Sequence, residues 1–304
     1  YQANLIRKHE LTRVEKEDDR LRHIEALNAQ TGPAFLVSRA DDVLDAWVAR
    51  RAKTPPAVDF TARDGVRHAA WVVRDKQDLE LVERAFARMP CLYIADGHHR
   101  TAAAARVCAA RRGEGESSHF LAVIFPHDQL QILPYNRILK DLNGHTPAAL
   151  SASLDALFEP ADGPADRPSA KHEMSCYLGG AWRKLRFRPR LTSGADPIDD
   201  LDVTLLQRHV LGPVFGIDDP RTSDRIGFVG GIRGTRELER LVDCGEGACA
   251  FALYPTGIED LMVIADRGQT MPPKSTWFEP KLRDGLFCHL LARRASDQTR
   301  SSQP

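Results

Sequence analysis

The residues best suited to chemistry sit in one short stretch, Asp96-Gly97-His98-His99-Arg100-Thr101, between the apolar run CLYIA and the alanine-rich run TAAAARVCAARR. A strand that enters a helix through a glycine leaves the first helical N–H groups unpaired. Those groups, with a fork of donors from Arg100, suit an anion such as phosphate. Gly97 tolerates the backbone angles of such a turn. Asp96, at the end of the strand, could hold a magnesium-bound water or take a proton from a substrate. The same residues also read as a capped turn carrying surface histidines. Two adjacent histidines and one Asp lack a third ligand at a recognised spacing, which argues against zinc.

Two further stretches carry chemistry. RKHELTRVEKEDDR crowds Arg7, Lys8, His9, Glu10 and Arg13 ahead of a helix. It reads as a solvated charged face, or as a general base or magnesium-linked carboxylate at Glu10 with His9 beside it. In MPPKSTWFEPKL, Pro272 and Pro273 stiffen the approach to Lys274, Ser275 and Thr276, while Trp277 and Phe278 are apolar anchors. We expect Lys274, Ser275 and Thr276 to reach back to Gly97–Arg100 and close one shared cleft. The alternative is a structural crossing whose lysine points to solvent. The glycines of a P-loop are missing there, and GFVGGIRGTRE misses the dinucleotide spacing and reads as a turn. No Gly-x-Ser-x-Gly elbow or His-Glu-x-x-His helix occurs.

The elements that must position these residues alternate in an α+β order. LTRVEKEDDRLRHIEALNAQTG has Val14, Leu21, Ile24 and Leu27 at helical spacing, with Gly32 past its end. PAFLVS predicts a strand, DDVLDAWVARRA a capped helix, and VDFTARDGVRHAAWVVRD a hairpin turning at Asp64-Gly65. KQDLELVERAFARM predicts a helix; HFLAVIF and LQILPYNRIL predict an antiparallel pair. FEPADGPADRPSAKHE, rich in Pro, Gly and Asp, is the candidate linker. Beyond it follow a hairpin through Gly179-Gly180, the helices DVTLLQRHVLGPVFG, TRELERLVD and GIEDLMVIADRG, and the strands RIGFVGG and ACAFALYP. We therefore expect a first domain over residues 1–157, a second α+β region over 158–290 contributing the MPPKST loop, and a disordered tail over 291–304.

The bulk numbers narrow the function classes. Lys plus Arg equals Asp plus Glu at 42 each in 304 residues, so no global positive field recruits nucleic acid. No clear helix-turn-helix appears either. The six cysteines are scattered without a CxxC pair, and Cys91 and Cys108 read as buried thiols. That pattern predicts a reducing, cytoplasmic compartment. No segment approaches a membrane span and no secretory signal opens the chain. The start at Tyr1 instead of methionine suggests a trimmed or partial chain.

Taken together, IRKHELTRVEKEDDRLRHI, YIADGHHRTAAA, ILPYNRIL, LDVTLLQRHVLGPVFGI and MPPKSTWFEPKLRDGL resemble one family over residues 1–290. It is the prokaryotic domain-of-unknown-function family one thousand and fifteen. Its Asp-Gly-His-His-Arg box is similar to the phosphate-binding box of the ParB/sulfiredoxin superfamily, which includes sulfiredoxins, CTP-dependent partition proteins and nucleotide-dependent free-serine kinases. The resemblance implies a ParB/sulfiredoxin-like mixed-sheet domain and a kinase that uses ATP or ADP with Mg2+ to phosphorylate a hydroxylated metabolite such as free serine. The alternative is a nucleotide-hydrolysing switch acting on partners or DNA.

On this resemblance Glu10, Asp96 and His99 are catalytic. Gly97, His98, His99, Arg100, Thr101, Lys274, Ser275 and Thr276 bind the nucleotide. His9, Asn136 and Arg137 bind the substrate, and Asp96 meets Mg2+ indirectly through the phosphates. The expected partners are a nucleotide and a small molecule, with a homodimer left open. Sulfiredoxins place a reactive Cys where this chain has His98, so sulfinic-acid repair is not implied. Family members also carry a further segment, with a Pro-Tyr-Asp motif, ahead of the His-Glu block.

Overall fold

The apolar runs AFLVS and LYIAD form the two central strands of a four-stranded mixed sheet in the computed structural model, which describes residues 3–192, 194 and 196–291. The order is Ile6–Arg7, Leu92–Asp96, Ala34–Ser38, Ala122–Pro126. Ala34–Ser38 runs antiparallel to Leu92–Asp96 and parallel to Ala122–Pro126, and Ile6–Arg7 is parallel to Leu92–Asp96. Ala34–Ser38 is buried along its whole length, as an apolar central strand requires. Ala34, Leu36 and Ile94 pack with Phe120 and Ile124 on this sheet.

Helix Val14–Leu27 meets helix His98–Ala110 through Ile24, Leu21, Ala103 and Val107. Only Ile24 of the longer helix is buried, while Val14 and Leu27 at its two ends stay exposed beyond the narrow contact. Its end is set by Asn28, in the left-handed region at φ 48°, ahead of Gly32. Helix Asp42–Arg51 starts as expected on the Asp41 carboxylate, which accepts the Val43 and Leu44 N–H groups. The hairpin Val58–Thr61/Arg67–Ala70 turns through Asp64-Gly65. These elements belong to one compact unit whose described residues are 3–7, 13–130 and 282–291. Within it His289–Leu290 pairs with Ala29–Gln30, and Leu291 is buried; the rest of the expected tail, residues 292–304, lies outside the described residues.

The second unit, residues 8–12 and 131–281, holds a six-stranded antiparallel sheet. Its order is Phe158–Pro160, Ala181–Phe187, Glu173–Leu178, Cys249–Leu253, Tyr135–Leu139, Ile226–Gly230. Ile138, Tyr177, Val229, Ala250 and Ala252 bury the apolar side of helix Gly234–Asp243 through Leu238. The protein is thus α+β, with eight α-helices among the described residues. None of them is long and apolar enough to cross a membrane.

Two readings of the elements change. HFLAVIF and LQILPYNRIL do not pair: Ala122–Pro126 joins the first sheet, Gln131–Leu133 pairs with Trp277–Glu279, and Tyr135–Leu139 joins the second sheet. Pro134 separates the last two, and a residue without an N–H interrupts a ladder. The two compact units divide at Arg7/Lys8, Thr12/Arg13, Leu130/Gln131 and Lys281/Leu282. DVTLLQRHVLGPVFG is α-helical only over Asp202–Leu206 and continues as a π-helix over Gln207–Leu211.

The stretch read as a linker is a clasped loop. Glu173, 1% exposed, accepts bonds from Ser169 N–H, Ser169 Oγ and Ala170 N–H at 2.9, 3.0 and 3.1 Å. Lys184 Nζ lies 3.2 Å from the same carboxylate and donates to Asp162 O and Ser169 Oγ. Arg186 takes the other carboxylate oxygen. Burial pushes the Glu173 carboxyl up, but Arg186, the Ser169 N–H and Lys184 outweigh it and bring it down to about 2. Polar composition suggested freedom; one buried carboxylate removes it.

Two predictions follow from these contacts. A carboxyl lowered by folding stabilises the folded state above its ordinary pKa, and that contribution is lost as pH falls toward 2. Glu173→Gln should therefore cost roughly 3–5 kcal/mol at neutral pH and flatten the acid limb of stability, read by urea unfolding at stepped pH. Gly97 sits at φ +94°, and a Cβ there would lie 2.9 Å from Arg100 Nε and 3.3 Å from Ala34 Cα. Gly97→Ala should cost at least about 1–2 kcal/mol; an unchanged urea midpoint would contradict this.

Candidate functional site

The strand Leu92–Asp96 passes through Gly97 directly into helix His98–Ala110. Gly97 is the N-cap and makes no side-chain capping bond, and the first turn contains no acidic residue. The positive end of the helix dipole therefore has no carboxylate of its own first turn to neutralise it. Thr101 is 1% exposed, and its N–H and hydroxyl both donate to Gly97 O, at 2.9 and 3.0 Å. His98 is buried, whereas His99 is half-buried and its Nε2 accepts the Arg13 N–H at 3.0 Å. That bond requires an Nε2 without a proton, which places the neutral ring's hydrogen on Nδ1.

Arg100 is held loosely. Its nearest carboxylates are Asp96 at 3.9 Å and Asp284 at 4.0 Å, and both are substantially exposed. Contacts of that length at a wet surface are weak. Arg100 also lines a cleft of about 200 Å³ with Arg20, His23, Gln30, Gly32 and Asp284. Gly32 leaves room for this approach: a Cβ there would lie 2.7 Å from Asp284 Oδ1, which would have to move aside. Three basic side chains and one carboxylate around a cleft at a helix start form a surface suited to an anion.

The remaining expected residues gather in the second unit. His9 is buried, its carbonyl accepts the Met271 N–H at 2.7 Å, and its ring lies 6.2 Å from the Phe278 ring. Glu10 beside it is exposed. Lys274 is exposed with φ at 56°, and its Nζ lies 5.1 Å from the centroid of the Tyr135 ring. Ser275 is buried and its hydroxyl donates to Pro272 O at 2.6 Å, while its carbonyl accepts the Thr256 hydroxyl at 3.2 Å. Thr276 is half-buried. Asn136 Oδ1 accepts the Leu253 N–H at 3.1 Å, inside the sheet. Arg137 donates to Tyr135 O at 2.6 Å and Lys274 O at 3.1 Å, and burial lowers its pKa to about 9.

So the structure brings Asp96 to Thr101 together in the first unit, and His9, Arg137 and the Lys274 loop together in the second. The glycines of GFVGG have a packing reason: a Cβ on Gly230 would lie 2.5 Å from the Trp277 ring. This close approach seats the MPPKSTW segment. Sequence reasoning missed Asp284, Gly32, Tyr135 and Thr256 as neighbours of these groups. RDGL and QTGP look like ordinary turns, and no local spacing links them to Arg100.

The chain is similar to the structure of SbnI with C-terminal truncation from Staphylococcus aureus, at 11% identity and TM-score 0.50, covering 98% of this chain and 90% of that one. It is also similar to a free serine kinase in complex with AMP, at 14% identity and TM-score 0.45, covering 90% of this chain and 84% of the other. A conserved hypothetical protein from Pyrococcus furiosus matches at 14% identity and TM-score 0.43, covering 92% and 90%. No curated protein sequence matches. The family model described as "Protein of unknown function (DUF1015)" matches residues 1–204, well over half of the chain, and the chain belongs to that family.

Proposed function

We propose that this protein is a nucleotide-dependent small-molecule kinase on a ParB/sulfiredoxin-like fold, transferring a phosphoryl group to a hydroxylated metabolite such as free serine. The observation that carries this reading is the loosely held Arg100 at an uncapped helix start behind left-handed Gly97. A guanidinium whose carboxylate contacts are 3.9 and 4.0 Å long can turn to a phosphate at little cost. The likeness of the Asp-Gly-His-His-Arg box to the superfamily's phosphate box supports the same choice.

The donor set fits a magnesium nucleotide. Helical N–H groups and Arg100 suit phosphate oxygens, and the half-exposed Asp96 carboxylate is a hard oxygen donor for the water shell of Mg2+. ATP or ADP supplies the phosphoryl group. Gly97, His98, His99 and Thr101 shape the phosphate side. Glu10 or Asp96 accepts the proton of the acceptor hydroxyl as its oxygen bonds to phosphorus and the phosphoanhydride bond breaks. His99 positions that proton transfer. Positioning and charge stabilisation dominate such chemistry.

His9, Glu10, Asn136, Arg137, Lys274, Ser275 and Thr276 belong to the second unit and enter this reading through the sequence resemblance. Within that unit, the His9–Met271 bond supports joint action of the His-Glu segment and the Lys274 loop. Free thiols at all six cysteines suit a reducing cytoplasm. Balanced charge argues against nucleic acid as a partner.

Two outcomes test the reading. Arg100→Ala should weaken ADP binding by roughly 1.5–3 kcal/mol, measured by calorimetry with Mg2+; unchanged affinity removes the box from the site. Serine incubated with ATP or ADP should gain phosphate without DNA. Glu10→Gln or Asp96→Asn should then lower turnover far more than nucleotide affinity. Nucleotide hydrolysis with no phosphorylated acceptor would favour the switch reading instead.

A further inference from the structure

Arg137 carries a charge in a place where charge is expensive. It is 4% exposed on strand Tyr135–Leu139, opposite Phe228 on one neighbouring strand and Phe251 on the other. Its guanidinium lies 4.7 Å from the Phe228 ring centroid, and no carboxylate pairs with it among the described residues. Its acceptors are two backbone carbonyls, Tyr135 O and Lys274 O. Burial lowers its pKa, yet to a value that leaves it charged at neutral pH. An apolar residue would fill the same volume without the desolvation penalty. What it could not supply is the fork that joins the sheet to Lys274.

That fork acts on a strained residue. Lys274 is one of the few non-glycine residues with positive φ, at 56°, a conformation that persists only where its surroundings over-determine it. Ser275 Oγ to Pro272 O and Thr256 Oγ1 to Ser275 O hold the residue that follows. The tie to Lys274 itself comes from Arg137. The side chain then leaves the backbone over the Tyr135 ring, its ammonium exposed. We propose that Arg137 is a positioning residue, holding Lys274 in the left-handed conformation that presents its ammonium to an anionic ligand. The ligand half of this statement rests on the function proposed above; the positioning half does not.

The test uses the full chain and two independent readouts. Arg137→Lys keeps the charge but cannot bridge two carbonyls with a planar fork. Hydrogen exchange at Lys274–Thr276 should rise about tenfold or more in that variant while strand Cys249–Leu253 keeps its protection. In a double-mutant cycle read by ADP affinity, Arg137→Lys should add nothing to Lys274→Ala, because it acts through Lys274. Wild-type exchange at the loop in a folded Arg137→Lys variant overturns the inference, and so do additive losses of ADP affinity. Should the wild type bind no ADP, the proposed function fails, and the exchange measurement alone then decides the role of Arg137. If Arg137→Lys does not fold, Arg137→Met decides, since it fills the buried site with no charge and no donor; its loop should again exchange about tenfold faster than in the wild type, and wild-type exchange there overturns the inference.

Discussion

One backbone residue governs the geometry of the first unit. Gly97 must turn a buried strand into a helix within a single residue, and it does so at φ +94° with the Arg100 guanidinium and the Ala34 backbone against it. Any side chain would meet both strain and collision there. Because the turn is that tight, the helix starts where the strand stops. Asp96, the uncapped N-terminus and Arg100 are consequently neighbours, although no pair among them is strongly bonded. The alanines of the following helix serve the same end. Ala103, at the helix–helix contact, lets Ile24 approach closely.

The second unit shows two opposite treatments of buried charge. Glu173 is surrounded by donors from Ser169, Ala170, Lys184 and Arg186, and the result is a fixed loop. Among the described residues Arg137 has no counter-charge and meets two backbone carbonyls and an aromatic ring. A satisfied ion pair fixes its loop and cancels its own field locally. An uncancelled cation spreads positive potential into its surroundings. The first lies under a structural loop and the second under the exposed lysine of the MPPKST segment, which is the arrangement an anion-binding surface would use.

Much of this was legible in the residues. Strand and helix positions followed from apolar runs, Asp caps and Gly-containing turns such as Asp64-Gly65 and Gly179-Gly180, all of which are local signals. The geometry of the Asp96–Thr101 box was also local, since a strand, a glycine, basic residues and a helix were adjacent in the chain. Misreadings arose where the deciding partner was distant. FEPADGPADRPSAKHE looked like a linker because its anchor, Glu173, bonds to Lys184 on the next strand. LQILPYNRIL looked like half of a hairpin because the strands that claim it, Trp277–Glu279 and Ile226–Gly230, lie far along the chain.

The sequence by itself determined the element types, the α+β class, the strand–glycine–helix junction at Asp96–Thr101 and the family blocks that carry the resemblance. Each depends on periodicity or on adjacent residues, and the chain states both directly. Only the tertiary structure decided that Gly32 clears space for Asp284 beside Arg100. It alone seated Trp277 on Gly230 and put a buried guanidinium under Lys274. Gly32 and Asp284 lie 252 positions apart, Gly230 and Trp277 lie 47 apart, and Arg137 and Lys274 lie 137 apart; nothing in local composition encodes which distant group will satisfy a buried charge or fill the space above a glycine.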